Sequence, residues 1–255
     1  MIATGSFEYA LPRMHSRLAQ RPGQGAWAAI EQARAITPII DALRETSLAT
    51  LIRSLTPAPD LHTVDQAARH AWSQAVADAV AWLPPAWSPA ISWCGLLHKL
   101  PALAHLARGR EPAAWMRADA VLAVACNAPA GNAADALSET VLAPLASGIA
   151  NPSRLNMLWQ DHWRALWPQG TRDADPLDVL SRLFARHFTR FRTAQPHEAP
   201  QLRRQLEVRL IAIFRRHPFD AAAVFAWLGI TALDLERARG ELARRIAFPD
   251  AMIAT

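Results

Sequence analysis

Arg182, Arg186 and Arg190 recur every four residues, a spacing that stacks three guanidiniums along one side of a helix. Leu180, Phe184, Phe188 and Phe191 fall opposite them. Two adjacent pairs, Arg215 with Arg216 and Arg244 with Arg245, follow in the last fifth of the chain. A guanidinium presents five donors in a planar fork that matches carboxylates and phosphates, so such a row supports multivalent recognition of anions. The anion would be an acidic protein partner or the headgroups of a membrane surface. Nucleic acid is set aside, because no nucleic-acid-reading module accompanies the charge. These seven arginines are the candidate partner-binding residues. A solvated outer helix face is the plain alternative reading of the same pattern.

Other residue patterns give no support to catalysis. Asp173, Asp175 and Asp178 invite a calcium reading but lack the central glycine and terminal glutamate of an EF-hand loop, and helix capping accounts for them. The nine histidines form neither an HExxH nor a Glu-x-x-His pair. There is no Walker A loop, GxSxG elbow or GxGxxG turn. Cys94 and Cys126 read as reduced, partly buried thiols of a reducing compartment. The expectation is a protein that is not an enzyme and holds no metal or cofactor. Seven of the ten tryptophans lie in two groups, Trp72 to Trp93 and Trp159 to Trp167. Core packing is their ordinary reading, and an interfacial belt for membrane or partner is the functional one.

The elements that carry these residues are helical. Ala, Leu and Arg dominate while β-branched residues and tyrosine are sparse, which favours an all-α fold. Helices are expected over 7–19, 26–35, 38–56 with a division at Thr46-Ser47, 61–82, and 88–109 with a split at Pro101. Further ones are expected over 111–126, 133–147, 152–167 and 175–192. The last segment, Leu202 to Pro249, reads as two or three helices. Pro218 stops the first and Asp220 caps the second. Gly229 ends the second, and Thr231 with Asp234 opens the third as a capping box. Glu241 and Arg245 make an i,i+4 surface pair. Ten or eleven helices result. The recurrent order of helix, proline break and capped helix leaves room for degenerate structural repeats. The whole of 1–255 is expected to form a single helical domain with sub-units 1–110, 111–195 and 196–255.

Charge is unevenly distributed. Residues 176–255 hold 13 arginines against 8 acids, whereas 1–175 hold 14 basic and 14 acidic residues, so the net +5 belongs to the C-terminal part. No stretch is apolar for long enough to span a bilayer, and the first twenty residues carry Glu8, Arg13 and Arg17 rather than a signal-peptide core. A cytoplasmic protein lying peripherally on the inner membrane is expected.

Three stretches together resemble the C subunit of V-type (A-type) rotary ATPases, equivalent to the d subunit of the eukaryotic membrane sector. Phe7-Glu8-Tyr9-Ala10 through Arg13 to Leu18 is similar to that family's opening helix, and Ile40 to Thr46 resembles the stretch that follows it. Leu100 to Gly109 looks like a third family helix, with His98 and Leu100 standing where the family has Asp and Asn. Phe225 to Leu228 and Leu235 to Arg239 resemble its ending. The resemblance implies a funnel-like assembly of three pseudo-equivalent helical units. Such a subunit sits on the membrane rotor ring, receives the central stalk and transmits torque in proton or ion transport without chemistry of its own. Two other readings stand beside it: a helical scaffold of another membrane-associated complex, and a small-molecule-binding protein with its pocket near Trp93 and Trp163. A deep cavity with convergent polar groups would favour the small-molecule reading, and a broad open funnel the stalk-receiving subunit.

Overall fold

Ser6 accepts a hydrogen bond from the amide of Tyr9 and opens α1 (Phe7–Ala19), which buries Ala10, Leu11 and Met14 on one side. The computed structural model describes residues 5–56, 58–129, 131–170 and 174–248. Among them, 76% of the fold is helical with no strand, so the chain is all-α. After α1 come α2 (Gln24–Gln32), α3 (Ile36–Arg44) and α4 (Ala49–Arg53). Asp60 caps α5 (Leu61–Trp82), its carboxylate accepting from the Thr63 amide at 2.6 Å. The Pro84-Pro85 break leads to α6 (Ser88–Cys94) and α7 (Leu100–Ala107), with Pro101 in the first turn of α7 where its missing donor costs nothing. Helix α3 begins at Ile36, two residues ahead of the expected start at 38, with Ala35 at its N-cap.

Two expected helices are broken. The one expected over 111–126 is two short pieces, α8 (Ala114–Ala118) and α9 (Ala123–Cys126). Between them, the Asp119 carboxylate takes the amides of Val121 and Leu122 at 3.1 and 3.0 Å, which competes with helical bonding. The one expected over 133–147 is α10 (Ala133–Ser138) and a 3-10 segment, Ala143–Gly148. The Trp helix begins with a short 3-10 turn and becomes α11 (Leu155–Ala165). It is followed by α12 (Ala174–Thr193) and, past a capping box of Gln195 and Glu198, by α13 (Ala199–Arg216).

The ending corrects the sequence reading in the opposite sense. Residues Ala221–Ala247 form one continuous helix, α14, capped by Asp220. Gly229 sits inside it, where a Cβ would lie 2.9 Å from Leu210 Cδ1 and 3.3 Å from Phe184 Cζ. The glycine lets α12 and α13 approach α14 closely and does not end the helix. Thr231 donates to the Trp227 carbonyl at 3.0 Å instead of capping, and Asp234 is buried in the interior. Fourteen α-helices therefore stand among the described residues.

The division at Thr46 reveals a repeat. Asp41-Ala42-Leu43-Arg44-Glu45-Thr46-Ser47-Leu48-Ala49-Thr50-Leu51 matches Asp135-Ala136-Leu137-Ser138-Glu139-Thr140-Val141-Leu142-Ala143-Pro144-Leu145 at eight of eleven positions. The two segments make the same turn. Thr46 Oγ1 donates to the Leu43 carbonyl and accepts from the Leu48 amide (2.7 and 3.2 Å), while Thr140 Oγ1 does so with Leu137 and Leu142 (2.9 and 3.0 Å). Leu43, Leu48 and Leu51 are buried, as are Leu137, Leu142 and Leu145. One copy lies in each of the first two expected sub-units, and 196–255 carries none.

Around these turns one buried cluster runs from Ala10 to Leu242 rather than three separate cores. Helix α14 lies at its centre, packed on α13, α5, α12, α1 and α3, and Ala221 to Leu228 are buried without interruption. No described helix is long and apolar enough to cross a membrane.

Candidate functional site

Helices α12 and α13 form an antiparallel pair whose inner sides hold Leu177, Leu180, Leu202, Leu206, Leu210 and Phe214. Buried Ser181 is tied to α11 by Gln160, whose amide nitrogen donates to the serine hydroxyl and carbonyl, each at 2.7 Å. Arg164 pairs with Asp178 at 2.7 Å. With the inner side so fixed, Arg182, Arg186 and Arg190 project into solvent, as do Arg215 and Arg216 at the end of α13. Residues 174–216 hold nine arginines and four acids, a net +5, and the remaining 18 basic and 18 acidic residues of the chain cancel. The entire formal charge thus sits on one helical pair.

These cations are largely unpaired. Arg186, Arg209, Arg215 and Arg216 make no ion pair or hydrogen bond among the described residues, Arg182 reaches the Asp178 carbonyl at 3.2 Å, and Arg190 reaches Gln205 at 3.3 Å. Of the four carboxylates, Asp178 is engaged by Arg164, Glu198 by the Gln195 amide and Glu207 by Arg21. Arg186, Arg190 and Arg209 line a groove of about 190 Å³ floored by Leu183, Leu202 and Leu206, with no carboxylate in its walls. Burial, then the charges of Arg203 and Arg190, pull the pKa of His187 beside it below the ordinary imidazole value. Glu and Asp side chains of a partner fit such a surface.

The other two candidate arginines lie elsewhere, on α14, where Arg245 is buried and Arg244 is exposed beside it. Arg245 is 3% exposed, and its guanidinium donates to the carbonyls of Ile30, Glu31 and Ala33 at 2.6, 2.9 and 3.0 Å. It caps the end of α2 from α14 and pairs with Glu241. Arg244 donates to the Glu31 carbonyl and to Glu241, both at 3.0 Å. The i,i+4 surface pair expected of Glu241 and Arg245 is therefore a half-buried brace between two helices.

An ion cluster that sequence reasoning missed joins the chain's two ends. Arg21, just past α1, holds Asp234 of α14 through two bonds of 2.5 and 2.8 Å and Glu207 of α13 through one of 2.5 Å. Burial opposes the charge on Arg21, but hydrogen bonding and attraction from Asp234 and Glu207 outweigh it and raise its pKa. Lys99, the only lysine and 6% exposed, pairs with Asp119 at 2.5 Å. Burial raises the Asp119 pKa, yet the Lys99 ammonium and the Leu122 amide together hold it below the usual carboxylate range. A buried carboxylate spaced from a lone arginine by 213 residues leaves no local signal in a sequence.

Of the two tryptophan groups, Trp72, Trp87, Trp93, Trp159 and Trp163 are buried in the core, and Trp82 and Trp167 are half-buried against it. Trp93 stacks on Trp159 and Trp159 on Trp163, with centroids 6.3 and 6.0 Å apart, and Trp163 meets Phe225 edge-on at 4.9 Å. Trp93 and Trp72 donate to the carbonyls of Trp159 and Cys94, both at 3.0 Å. Trp163 and Trp159 wall an apolar cavity of about 210 Å³ in which Trp93 takes no part. Next to it opens a cleft of about 390 Å³ between α5, α7, α8 and α14, with Trp72, Leu97, Ala232 and Glu236 common to both. In that cleft Arg239 bridges Asp65 and Glu236 at 3.1 and 3.0 Å, and Arg69 lies 4.2 Å from the Trp115 ring centroid. Burial, then Lys99, lowers the His98 pKa to about 4, so the imidazole is neutral at physiological pH.

Cys94 is a buried thiol whose pKa burial raises, and Cys126 is shifted the same way by the same cause. Among the described residues no three His, Cys, Asp or Glu side chains converge as metal ligands. Asp173 lies outside them. No family model, curated protein or solved structure matches this chain.

Proposed function

We propose that this chain is a non-catalytic coupling subunit of a rotary ATPase of the V/A type, joining the membrane rotor ring to the central stalk in proton or ion transport. In this reading it lies peripherally on the cytoplasmic side of the inner membrane. The observation that carries the reading is the repeated helix–turn unit at 41–51 and 135–145, with its shared threonine hydrogen bonds and buried leucines. A family built from pseudo-equivalent helical units is what the stretches at Phe7 to Leu18 and Ile40 to Thr46 resemble, and the first repeat overlaps the second of these stretches. Arginines 182, 186 and 190 supply the docking chemistry, because exposed guanidiniums that hold no carboxylate of their own meet an acidic subunit without first breaking an ion pair. Contact with anionic headgroups at the membrane surface draws on the same charge.

Affinity purification of the full-length chain from detergent-solubilised native membranes, with the captured proteins identified by mass spectrometry, tests the assignment. Rotor-ring and central-stalk subunits are expected in stoichiometric yield. Recovery of the chain alone, or with no rotary ATPase subunit, refutes it.

A further inference from the structure

The cleft between α5, α7, α8 and α14 is independent of the coupling role and has the features of a ligand site. At about 390 Å³ it falls in the size range of small-molecule pockets, and Trp72, Leu97, Leu235 and the Trp115 ring supply apolar walls. Its polar groups are unequal. Asp65 and Glu236 are both already held by Arg239. Among the described residues Arg69 is the one uncommitted cation of the lining: its guanidinium lies over Trp115 and makes no hydrogen bond or ion pair, while the neutral His98 beside it leaves a buried Nδ1 without a partner. Burial pulls its pKa below the ordinary value, while Asp65 and Asp119 act the other way through space. Its donors reach solvent at the cleft, and a bidentate carboxylate would replace that water with two charge-assisted hydrogen bonds.

We propose that this cleft binds a small monocarboxylate with an apolar body, the carboxylate forked on Arg69 and the body against Trp72, Leu97 and Leu235. One free cation matches one negative charge. A dianion such as a phosphate monoester would set its second charge beside Asp65 and Glu236, which share a single arginine. A cation would meet Arg69 itself, and a neutral apolar molecule would leave the Arg69 donors dry and unbonded. The apolar cavity lined by Trp159, Trp163 and Phe184 adjoins the cleft across Trp72, Leu97, Ala232 and Glu236, and the cleft's own apolar walls accommodate a short alkyl chain.

Octanoate is the probe, with octan-1-ol as its neutral counterpart, titrated into the full chain while following tryptophan emission and heat. Octanoate is expected to bind saturably, and Arg69→Gln to weaken it by about ten- to a hundredfold, the worth of a charge-assisted pair. Octanol binding should be the same in both proteins, and circular dichroism should show that the variant is folded. Absence of saturable octanoate binding overturns the proposal, as does equal affinity of wild type and Arg69→Gln. Neither result bears on capture of ATPase subunits, so the two readings fail separately.

Discussion

Arg21 and Asp234 show how one residue far from any helix stripe can govern the fold. Asp234 is 5% exposed, and its only cationic hydrogen-bond donor among the described residues is Arg21. Removing a partner from such a pair strands a buried charge, so Arg21→Met should cost about 3–5 kcal/mol in denaturant unfolding. The double variant Arg21→Met/Asp234→Leu should recover part of that, because the buried Asp234 charge goes with its partner and only the partly exposed Glu207 loses its bond to Arg21. His98 gives a pH signature. Its folded pKa of about 4 lies below the ordinary 6.5, so as pH falls the unfolded chain takes up the proton first. Stability contributed by the neutral imidazole is complete above the unfolded value and lost between 6.5 and about 4, by at most about 1.4 kcal/mol per pH unit. Unfolding midpoints measured from pH 7 to 4.5 should fall less steeply in His98→Gln than in the wild type.

At the scale of elements, apolar periodicity and capping chemistry were readable where a helix depends on itself. Phe7–Ala19 stands at its expected limits, and Asp60, Pro101 and Asp220 do what their side chains predict. Gly229 misleads because a glycine that ends a helix and one that admits a neighbour are the same letter, and only Leu210 and Phe184 of other helices decide between them. Asp119 misleads for a related reason: a mid-helix carboxylate becomes a turn when its other oxygen finds Lys99. The repeat was legible in principle, since eight of eleven residues agree, but its copies stand 94 positions apart with no fixed period between them. Equivalent turns should respond alike. Thr46→Val and Thr140→Val each remove two hydrogen bonds and should each cost about 1–2 kcal/mol, read as paired shifts in thermal midpoint. A large loss in one and none in the other would break the equivalence.

Over the whole molecule, charge and structure separate cleanly. The interior ion pairs lock helices together, whereas the α12–α13 pair carries the full net charge on exposed arginines that the fold does not use. Of the seven arginines singled out by sequence, five are exposed on this pair, while Arg245 is buried under the α14–α2 brace and Arg244 lies on its rim. Burial separates them, and burial depends on α2, which lies some two hundred residues earlier in the chain. Because Arg182, Arg186 and Arg190 support no internal ion pair, Arg182→Glu/Arg186→Glu/Arg190→Glu should keep the wild-type unfolding free energy within about 0.5 kcal/mol per site. Its effect belongs to association, which for exposed charges weakens as salt shortens the screening length to about 10 Å at 0.1 M. The most direct measurement is binding of wild type and this triple variant to purified rotor-ring and central-stalk subunits at low and high salt. The account predicts that wild-type affinity falls with salt and that the folded triple variant binds at least about tenfold more weakly at low salt, the loss of one or more charge pairs. Equal binding by the two proteins, or none by the wild type, contradicts it.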